Sequence, residues 1–376
     1  MQQFLKRHRV PVHQNLLCPS PEAARDISRG TLSMTVCCRC DFVFNVDFDF
    51  SLLQYGEDYE NTQTCSPAFL EYVDGLVDRI IDAHQVRDSV IVELGCGKGT
   101  FLTRLLERES SNRGFGFDTS YVGPAEILNG RGIFRRELYG RDTEIPRPDA
   151  VVCRHVIEHV PTPLEFMQSL RSALRNAPDA RVFMETPCVE WILRNRVVWD
   201  LFFEHCSLFT ASSLAGLFER TGFYVTDVRH VFNGQYLWLE AIASGEPSES
   251  VRHDERIIPM AKDFGAAEQE IVENLTARVH RLRERGKVAL WGAAAKGVTL
   301  ANLIDPDCQL IDCVVDLNPR KQGRFVPGTG HPIVDYRTLA MRGVISAILM
   351  NENYRQENEA LVKAAGIRLD LVEGLT

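Results

Sequence analysis

Residues 88–118 are the segment that most constrains the fold of this chain. A buried strand pattern, SVIVEL, runs into a turn containing Gly95, Gly97 and Gly99, and the helical pattern TFLTRLLE follows at once. Only glycine lets the backbone turn this tightly and approach a ligand, and the first N–H groups of the helix point towards that ligand. The segment therefore predicts a binding turn at the carboxyl end of a buried strand.

The spacing of this turn distinguishes between possible ligands. Dinucleotide sites have the spacing G-x-G-x-x-G, which packs against a pyrophosphate, whereas this turn has G-x-G-x-G with Glu93 two residues before the first glycine. A carboxylate there attracts a cationic ligand without phosphate, which predicts S-adenosylmethionine as the cofactor. Asp118 ends the next strand, where its carboxylate can accept hydrogen bonds from both ribose hydroxyls; alternatively it is a turn-forming residue. Glu137, after the third strand, is a weaker candidate for the adenine amino group.

Apolar runs and helical stretches alternate from residue 88 to residue 243, which is typical of an α/β domain with a mostly parallel sheet. Ser66 and Pro67 predict the start of an amphipathic helix before that domain. A charged helix over residues 260–285 precedes a second α/β unit. The predicted fold is a class I Rossmann-like methyltransferase core with a small N-terminal domain and a second Rossmann-like C-terminal domain. The predicted domains are residues 1–65 (irregular, with short strands or loops), 66–245 (cofactor), 246–285 (linker and helix) and 286–376 (substrate).

Composition excludes several classes of function. The 376 residues carry a formal net charge of −9, which argues against a general nucleic-acid binder and favours a small-molecule substrate. No apolar run has the length of a membrane span and the N-terminus has no signal-peptide core, so we expect no membrane partner and a cytoplasmic location. Most of the eleven cysteines lie in apolar patterns, as free thiols do in that compartment.

The segment CRHVIEHVP follows the fourth strand of the predicted core. His155, Glu158 and His159 form an H-x-x-E-H string, which in some metallopeptidases holds zinc on a helix. Pro161 cuts that helix short, so the favoured interpretation is a loop facing the cofactor. In it, Arg154 and His155 lie near the methionine end and His159 lies near the substrate. Polar residues at a strand end, without function, are the remaining alternative.

Several segments together resemble a known family. ELGCGKG, CRHVIEH and FFEHCSLFT, with the C-terminal GAAAKG, KQGRFVPGTGHPI and MNENY, are similar to the three-domain methyltransferases that include the sugar C-methyltransferases of deoxysugar pathways. The resemblance spans nearly the whole chain and implies methylation of carbon 3 of a nucleotide-linked 4-keto sugar after a general base removes a proton. In that family a Tyr-His-Glu-His type segment supplies the base. The matching residues here are Phe202, Phe203, Glu204 and His205, so the resemblance implies His205 as the base and Phe202 in place of the tyrosine.

The family's C-terminal domain covers the substrate. By resemblance, candidate substrate-binding residues therefore lie at the loop ends of the second α/β unit: Lys296, Asp316, Lys321, His331 and Asn351. Lys296 stands at a helix start, where it can meet a phosphate or carboxylate. Each of these residues is alternatively a surface charge or a turn residue.

The resemblance also implies an N-terminal zinc site, which in the family uses two Cys-x-x-Cys pairs. One pair, Cys37 and Cys40, is present, and His13 and Cys18 are candidates for the other half. Tetrahedral zinc needs four ligands. Zinc is thus a possible second cofactor.

The predicted function is S-adenosylmethionine-dependent methylation of a small polar metabolite, with nucleotide-linked, sugar-like metabolites as one expected class and carbon favoured as the target. Methylation of oxygen or nitrogen is the first alternative. More distant alternatives are a zinc hydrolase built on His155, Glu158 and His159, and a non-catalytic module that keeps the cofactor fold for binding.

Overall fold

The computed structural model describes residues 1–53, 58–62 and 64–373; residues 54–57 and 63 of the predicted first domain, and 374–376 of the last, lie outside the described residues. The described helices are α1 Pro21–Arg25, α2 Pro67–Asp78, α3 Thr100–Arg108, α4 Pro163–Ala173, α5 Val189–Arg194, α6 Ala211–Arg220, α7 Ile257–Arg283, α8 Ala295–Ile304, α9 Leu339–Arg342 and α10 Arg355–Ala364. The described strands are β1 Gln2–Pro11, β2 Arg29–Val36, β3 Val43–Asn45, β4 Val90–Leu94, β5 Arg113–Phe117, β6 Glu126–Ile127, β7 Gly132–Arg135, β8 Ala150–Arg154, β9 Arg181–Pro187, β10 Ser207–Leu208, β11 Tyr224–Val231, β12 Tyr236–Ile242, β13 Lys287–Trp291, β14 Cys313–Val315, β15 Ile333–Val334, β16 Val344–Leu349 and β17 Asp370–Val372.

The central sheet has the order β11-β12-β9-β8-β4-β5-β7-β6. Strands β9, β8, β4, β5 and β7 run parallel, while β12 and β6 pair antiparallel at the two sides. Parallel strands need crossover connections, and α3 and α4 supply two of them. The predicted Rossmann-like core is confirmed.

Local sequence signals account for the helices at the entrance to this sheet. Ser66 caps α2 by accepting a hydrogen bond from the backbone N–H of Phe69, and Pro67 occupies the first helical position, as predicted. Helix α3 begins directly after Gly99, which has a φ of 75°. Its buried face, Phe101, Leu102, Leu105 and Leu106, follows the spacing of an amphipathic helix packed on a sheet.

The N-terminal region is more regular than the predicted short strands or loops. Strand β1 is ten residues long and pairs antiparallel with β2, and β10, from the middle of the chain, completes a sheet of order β1-β2-β3-β10. The sequence pattern does not predict β1, because one of its inward positions is Arg7, which forms an ion pair with Glu268 of α7. A charged residue at an inward position breaks the apolar alternation that identifies a half-buried strand.

The C-terminal unit is a second parallel sheet of order β15-β14-β13-β16-β17, which confirms the second Rossmann-like unit. Helix α7 precedes it and covers the predicted span of residues 260–285 almost completely. The boundaries of the four predicted domains stay predictions. Among the described helices, none combines the length and the apolar character that crossing a membrane requires.

Candidate active site

One cavity of about 410 Å³ lies where the carboxyl ends of the two parallel sheets meet. The turn after β4 contributes Gly95 and Gly97 to its wall, and the turn after β13 contributes Gly292 and Lys296. Residues 59, 61 and 62 of the N-terminal region form a third part of the wall. The cavity is thus shared by three parts of the chain, in the position where open α/β sheets bind ligands.

The turn after β4 has the conformation that its glycines predict. Gly95 and Gly97 have φ values of 64° and 54°, and a Cβ atom on Gly95 would stand 2.2 Å from Cγ2 of Val156. Beneath the turn, Glu93 is buried and its Oε2 accepts a hydrogen bond from the N–H of Leu102 (3.1 Å). Burial raises the pKa of the Glu93 carboxyl to about 8, so this group is poised to change its charge near neutral pH.

Arg154 and His155 both lie on the cavity wall and are held by the buried carboxylate of Glu185. The Arg154 Nε donates to Glu185 Oε2 (2.5 Å) and His155 Nδ1 lies 3.2 Å from Oε1 of Glu158. The Arg154 Nη2 is buried and hydrogen-bonds to none of the described residues. Although burial lowers it, the carboxylates of Glu185 and Glu158 raise the pKa of His155 to about 9. This side of the cavity therefore presents two cations with a free donor.

His159 and His205 face each other on the same wall, with ring centroids 4.9 Å apart. The Nδ1 atoms of both are buried and hydrogen-bond to no described residue. Burial, and then electrostatic interactions with His159, His155 and Lys296, hold the pKa of His205 well below its usual value. Phe202 packs on the His205 ring at 4.1 Å between centroids. His205 is consequently a neutral imidazole with an unused ring nitrogen.

Glu204, predicted as a catalytic partner of His205, points away from the cavity. Its Oε1 lies 3.1 Å from His13 Nδ1, and its Oε2 accepts a hydrogen bond from the N–H of Gln14 (2.9 Å). The side chain is buried and does not form part of the cavity wall. The two oxygens of Glu204 thus fix the N-terminal segment in this structure, and its predicted catalytic role stays a prediction.

Four of the five predicted substrate residues line the C-terminal side of the cavity: Lys296, Asp316, Lys321 and Asn351. Lys296 Nζ pairs with Asp200 (2.9 Å), whereas the buried Lys321 Nζ donates to two neutral oxygens, Asn15 Oδ1 (3.0 Å) and the carbonyl of Ala293 (2.9 Å).

His331, the fifth of these residues, does not line the cavity, and its predicted substrate role stays a prediction. It is fully buried between Thr329 and Asp305, with Nε2 2.8 Å from the Asp305 carboxylate. Because both ring nitrogens have protein partners, His331 has a structural position.

Three predicted cofactor residues lie outside the cavity wall. Gly99 starts α3 behind it, and Asp118 uses its oxygens within the loops, accepting from Gly97 N (2.8 Å) and from Ser120 N (2.8 Å). Glu137 follows β7 on the surface, beside Arg135. The cavity therefore includes Glu93, Gly95, Gly97, Arg154 and His155 of the predicted cofactor site but not Gly99, Asp118 or Glu137.

The residues do not assemble either of the predicted zinc sites. His13 pairs with Glu204, and in the part of the chain that the structure describes no third ligand joins Cys37 and Cys40 in a metal-binding group. For the hydrolase alternative, Ile157–His159 is a single 3-10 turn, not a helix that holds both histidines. The ligand atoms that do lie within 4.8 Å of one another belong to Glu158, His159 and His205. Both oxygens of Glu158 already contact His155 and Thr186, so no reaction step is assigned to a metal.

Comparison with protein families decides the chemistry of the cavity. Residues 68–228 match the model of a methyltransferase domain, and residues 248–366 match the C-methyltransferase C-terminal domain. The C-methyltransferase NovU of Streptomyces niveus is 27% identical over 351 residues, which are 86% of this chain and 80% of that protein. The chain belongs to the S-adenosylmethionine-dependent methyltransferases.

Solved structures share part of this methyltransferase. The 1,6-didemethyltoxoflavin-N1-methyltransferase of Burkholderia thailandensis covers 47% of the chain (81% of its own) at 18% identity and a TM-score of 0.37. Magnesium protoporphyrin IX methyltransferase of Synechocystis covers 46% (83% of its own) at 19% identity and a TM-score of 0.36. At these TM-scores, the assignment rests on the family models and the curated relative.

The wall of the methyltransferase cavity fits the amino-acid end of S-adenosylmethionine. That end carries an ammonium and a carboxylate, and the wall offers the Glu93 carboxyl and the unpartnered Nη2 of Arg154. The space above Gly97 is open, since a Cβ there would have no neighbour within 4 Å. These groups are of the right kind to hold the cofactor.

Sequence reasoning missed three residues that shape the site of the methyltransferase. Glu185 is an isolated acid in the apolar strand pattern RVFMETP, and that isolation is the sequence signal that could have identified it. Tyr236 starts β12 and places its ring 4.6 Å from that of His155. Glu60 is buried among cations near the glycine turn, and no local pattern identifies it.

Proposed function

We propose that this methyltransferase methylates a carbon atom of a small polar metabolite that carries an anionic, nucleotide-type group, such as a nucleotide-linked keto sugar. The observation that carries the proposal is that two imidazoles of one cavity have pKa values shifted in opposite directions by their surroundings. Burial holds the pKa of His205 well below its usual value, whereas the carboxylates of Glu185 and Glu158 raise that of His155 to about 9. Carbon adjacent to a ketone becomes a nucleophile only after losing a proton, and neighbouring groups with separated pKa values supply the base and the positive charge.

The chain's own groups then account for the steps that need a protein. His205 accepts the proton from the acceptor carbon, and the electron pair spreads into the carbonyl. Phe202 and His159 pack against the ring of His205 and keep water from it. The cofactor supplies an electrophilic methyl group, and the new carbon–carbon bond leaves S-adenosylhomocysteine and a protonated His205. Oxygen or nitrogen acceptors are stronger nucleophiles and have less need of such a base.

The C-terminal side of the cavity supports an anionic group on the acceptor. Lys321 is a buried ammonium whose hydrogen-bond partners are neutral oxygens. The N-terminus of α8 lines the same side, and the N-termini of helices attract anions. A phosphate between Lys321 and α8 would neutralise that charge. The match of this unit to a C-methyltransferase C-terminal domain supports carbon as the methylated atom.

For the cofactor, we propose that Arg154 binds the carboxylate and Glu93 the ammonium of the amino-acid end. The ribose would lie towards Asp118, whose carboxylate already organises the glycine turn. Gly97 leaves room for the chain of the cofactor, since the position of a Cβ atom there is open. This placement puts the methyl group on the side of His159 and His205.

The test uses the full chain with S-adenosylmethionine and a panel of nucleotide-linked 4-keto sugars. We expect a product that gains one methyl group on carbon, located by NMR. In deuterated water without cofactor, the acceptor should exchange the proton at that carbon. His205→Gln should slow exchange at least about a hundredfold and leave S-adenosylhomocysteine binding intact, whereas His230→Gln, at an exposed histidine of β11, should change neither. Methylation on oxygen or nitrogen, or exchange that persists in His205→Gln, contradicts the proposal.

A further inference from the structure

Glu60 is a buried carboxylate that joins three parts of the chain. Lys98 Nζ donates to both of its oxygens (2.8 and 2.6 Å), and the N–H of Thr62 donates to Oε1 (3.1 Å). From the C-terminal unit, Arg320 Nη1 lies 3.0 Å from Oε2. The carboxylate has no exposed surface. One acid thus holds two cations that come from different sheets.

Each partner of Glu60 belongs to a segment of the cavity wall. Lys98 stands between Gly97 and Gly99 in the turn after β4, and its Nζ also donates to Thr62 Oγ1 (2.7 Å). Arg320 lies in the loop that contains Asp316 and Lys321. The residues on both sides of Glu60, Tyr59, Asn61 and Thr62, line the cavity. Glu60 itself does not line it.

The buried carboxylate of Glu60 needs its charged partners. Removing a carboxylate from water is costly unless charged partners and hydrogen bonds compensate. Although burial raises it, hydrogen bonds from Lys98 and Thr62 hold the pKa of Glu60 at about 2. Arg320 is about half exposed and contributes less than Lys98 does. The segment from residue 58 to residue 62 is therefore fixed chiefly to the glycine turn.

We propose that Glu60 is a positioning residue that holds residues 59–62 against the amino-acid end of S-adenosylmethionine and thereby sets cofactor affinity without touching the cofactor. This inference rests on the proposed placement of that end at Arg154. Glu93 and Arg154, the groups assigned to that end, line the same cavity as Tyr59, Asn61 and Thr62, so residues 59–62 share a wall with the proposed position of the amino-acid end. Loss of the ionic contacts frees the segment and weakens binding of that end alone.

The test compares two ligands by calorimetry on the full chain. S-adenosylhomocysteine has the amino-acid end, and 5′-methylthioadenosine lacks it. Glu60→Gln should weaken S-adenosylhomocysteine about tenfold and change 5′-methylthioadenosine less than about twofold. Lys98→Met, which leaves Arg320 in place, should give the same selective loss and serves if Glu60→Gln does not fold. Lys98→Arg should retain most of the affinity.

Glu240→Gln is the matched control, because Glu240 is a buried carboxylate held by Arg79 and His84 outside the cavity. It should lower the melting temperature while leaving both affinities within about twofold. Equal losses for both ligands, or none in either Glu60→Gln or Lys98→Met, overturn the inference. Arg154→Met separates the two proposals. If Arg154→Met weakens binding of S-adenosylhomocysteine alone, while the Glu60 variants do not, the cofactor placement is supported and the role of Glu60 is rejected. If Arg154→Met is not selective either, the placement falls as well.

Discussion

We predict that Glu93 makes cofactor binding depend on pH. The carboxyl lies beneath the glycine turn and on the cavity wall, and its burial raises its pKa to about 8. At neutral pH most molecules without cofactor therefore carry a neutral Glu93. If the carboxylate receives the ammonium of the cofactor, binding requires the ionised form and releases a proton.

The magnitude follows from the population of that form. With a pKa of about 8, the ionised fraction rises from about 1% at pH 6 to about half at pH 8, so the Kd should fall about fiftyfold across this range. The pKa of Glu93 is higher in the folded chain, about 8, than its ordinary value of 4.5. Its contribution to the free energy of unfolding is therefore at its maximum below about pH 4.5 and is lost as the pH rises through 8. Cofactor binding offsets that loss, so the thermal shift caused by S-adenosylhomocysteine should increase with pH.

Calorimetry of S-adenosylhomocysteine between pH 6 and pH 8 checks this prediction. The range stops at pH 8 because His155, with a pKa of about 9, begins to lose its proton above it. Repeating the titrations in buffers of different ionisation enthalpy should show the release of close to one proton at pH 6.5. Glu93→Gln should remove most of the pH dependence. A Kd that stays constant in the native protein, or an equal pH dependence in Glu93→Gln, would refute the reasoning.

Three further predictions follow from single contacts. Gly95→Ala places a Cβ 2.2 Å from Val156 Cγ2 at a φ of 64°, so it should weaken S-adenosylhomocysteine more than about tenfold in calorimetry; unchanged affinity contradicts the tight turn. Glu204→Gln should lower the free energy of unfolding, measured by urea unfolding, by about 1–3 kcal/mol and leave cofactor affinity intact. A loss of turnover with no loss of stability would instead support a catalytic role for Glu204. Lys321→Met should weaken binding of a nucleoside diphosphate about tenfold but not that of S-adenosylhomocysteine, whereas equal binding by the variant rejects an anion at Lys321.

The parts of the fold that the sequence predicts are those with dense local signals. The glycines of residues 95–99 force positive φ values, and Ser66 with Pro67 marks a helix start by local chemistry alone. The two parallel sheets follow from the alternation of apolar runs with helices. Strand β1 lacks such a signal because its buried Arg7 interrupts the apolar pattern and forms an ion pair with Glu268, which lies on a helix distant in sequence.

The same distinction explains the outcomes for Glu204 and His205. The two residues are adjacent in sequence, yet one lines the cavity and the other contacts His13, 191 positions away. No local pattern states which of two neighbouring polar side chains points inward. His331 shows the same effect, since its partner Asp305 is 26 positions away and turns a candidate ligand-binding histidine into a structural one.

Asp118 and Asp316 show how far a motif can be interpreted. Each follows the second strand of its unit and accepts a hydrogen bond from the glycine-rich turn after the first strand, at Gly97 N (2.8 Å) and Ala293 N (2.9 Å). The other oxygen of each accepts from an N–H two residues further on. An acid in this position therefore shapes the turn in both units, whatever ligand binds there. Because the spacing alone does not separate that shared role from ribose recognition, our proposed ligands rest on charged groups beside the turns: Glu93 beneath the first turn for a cationic ligand, and Lys321 near the second for an anionic one.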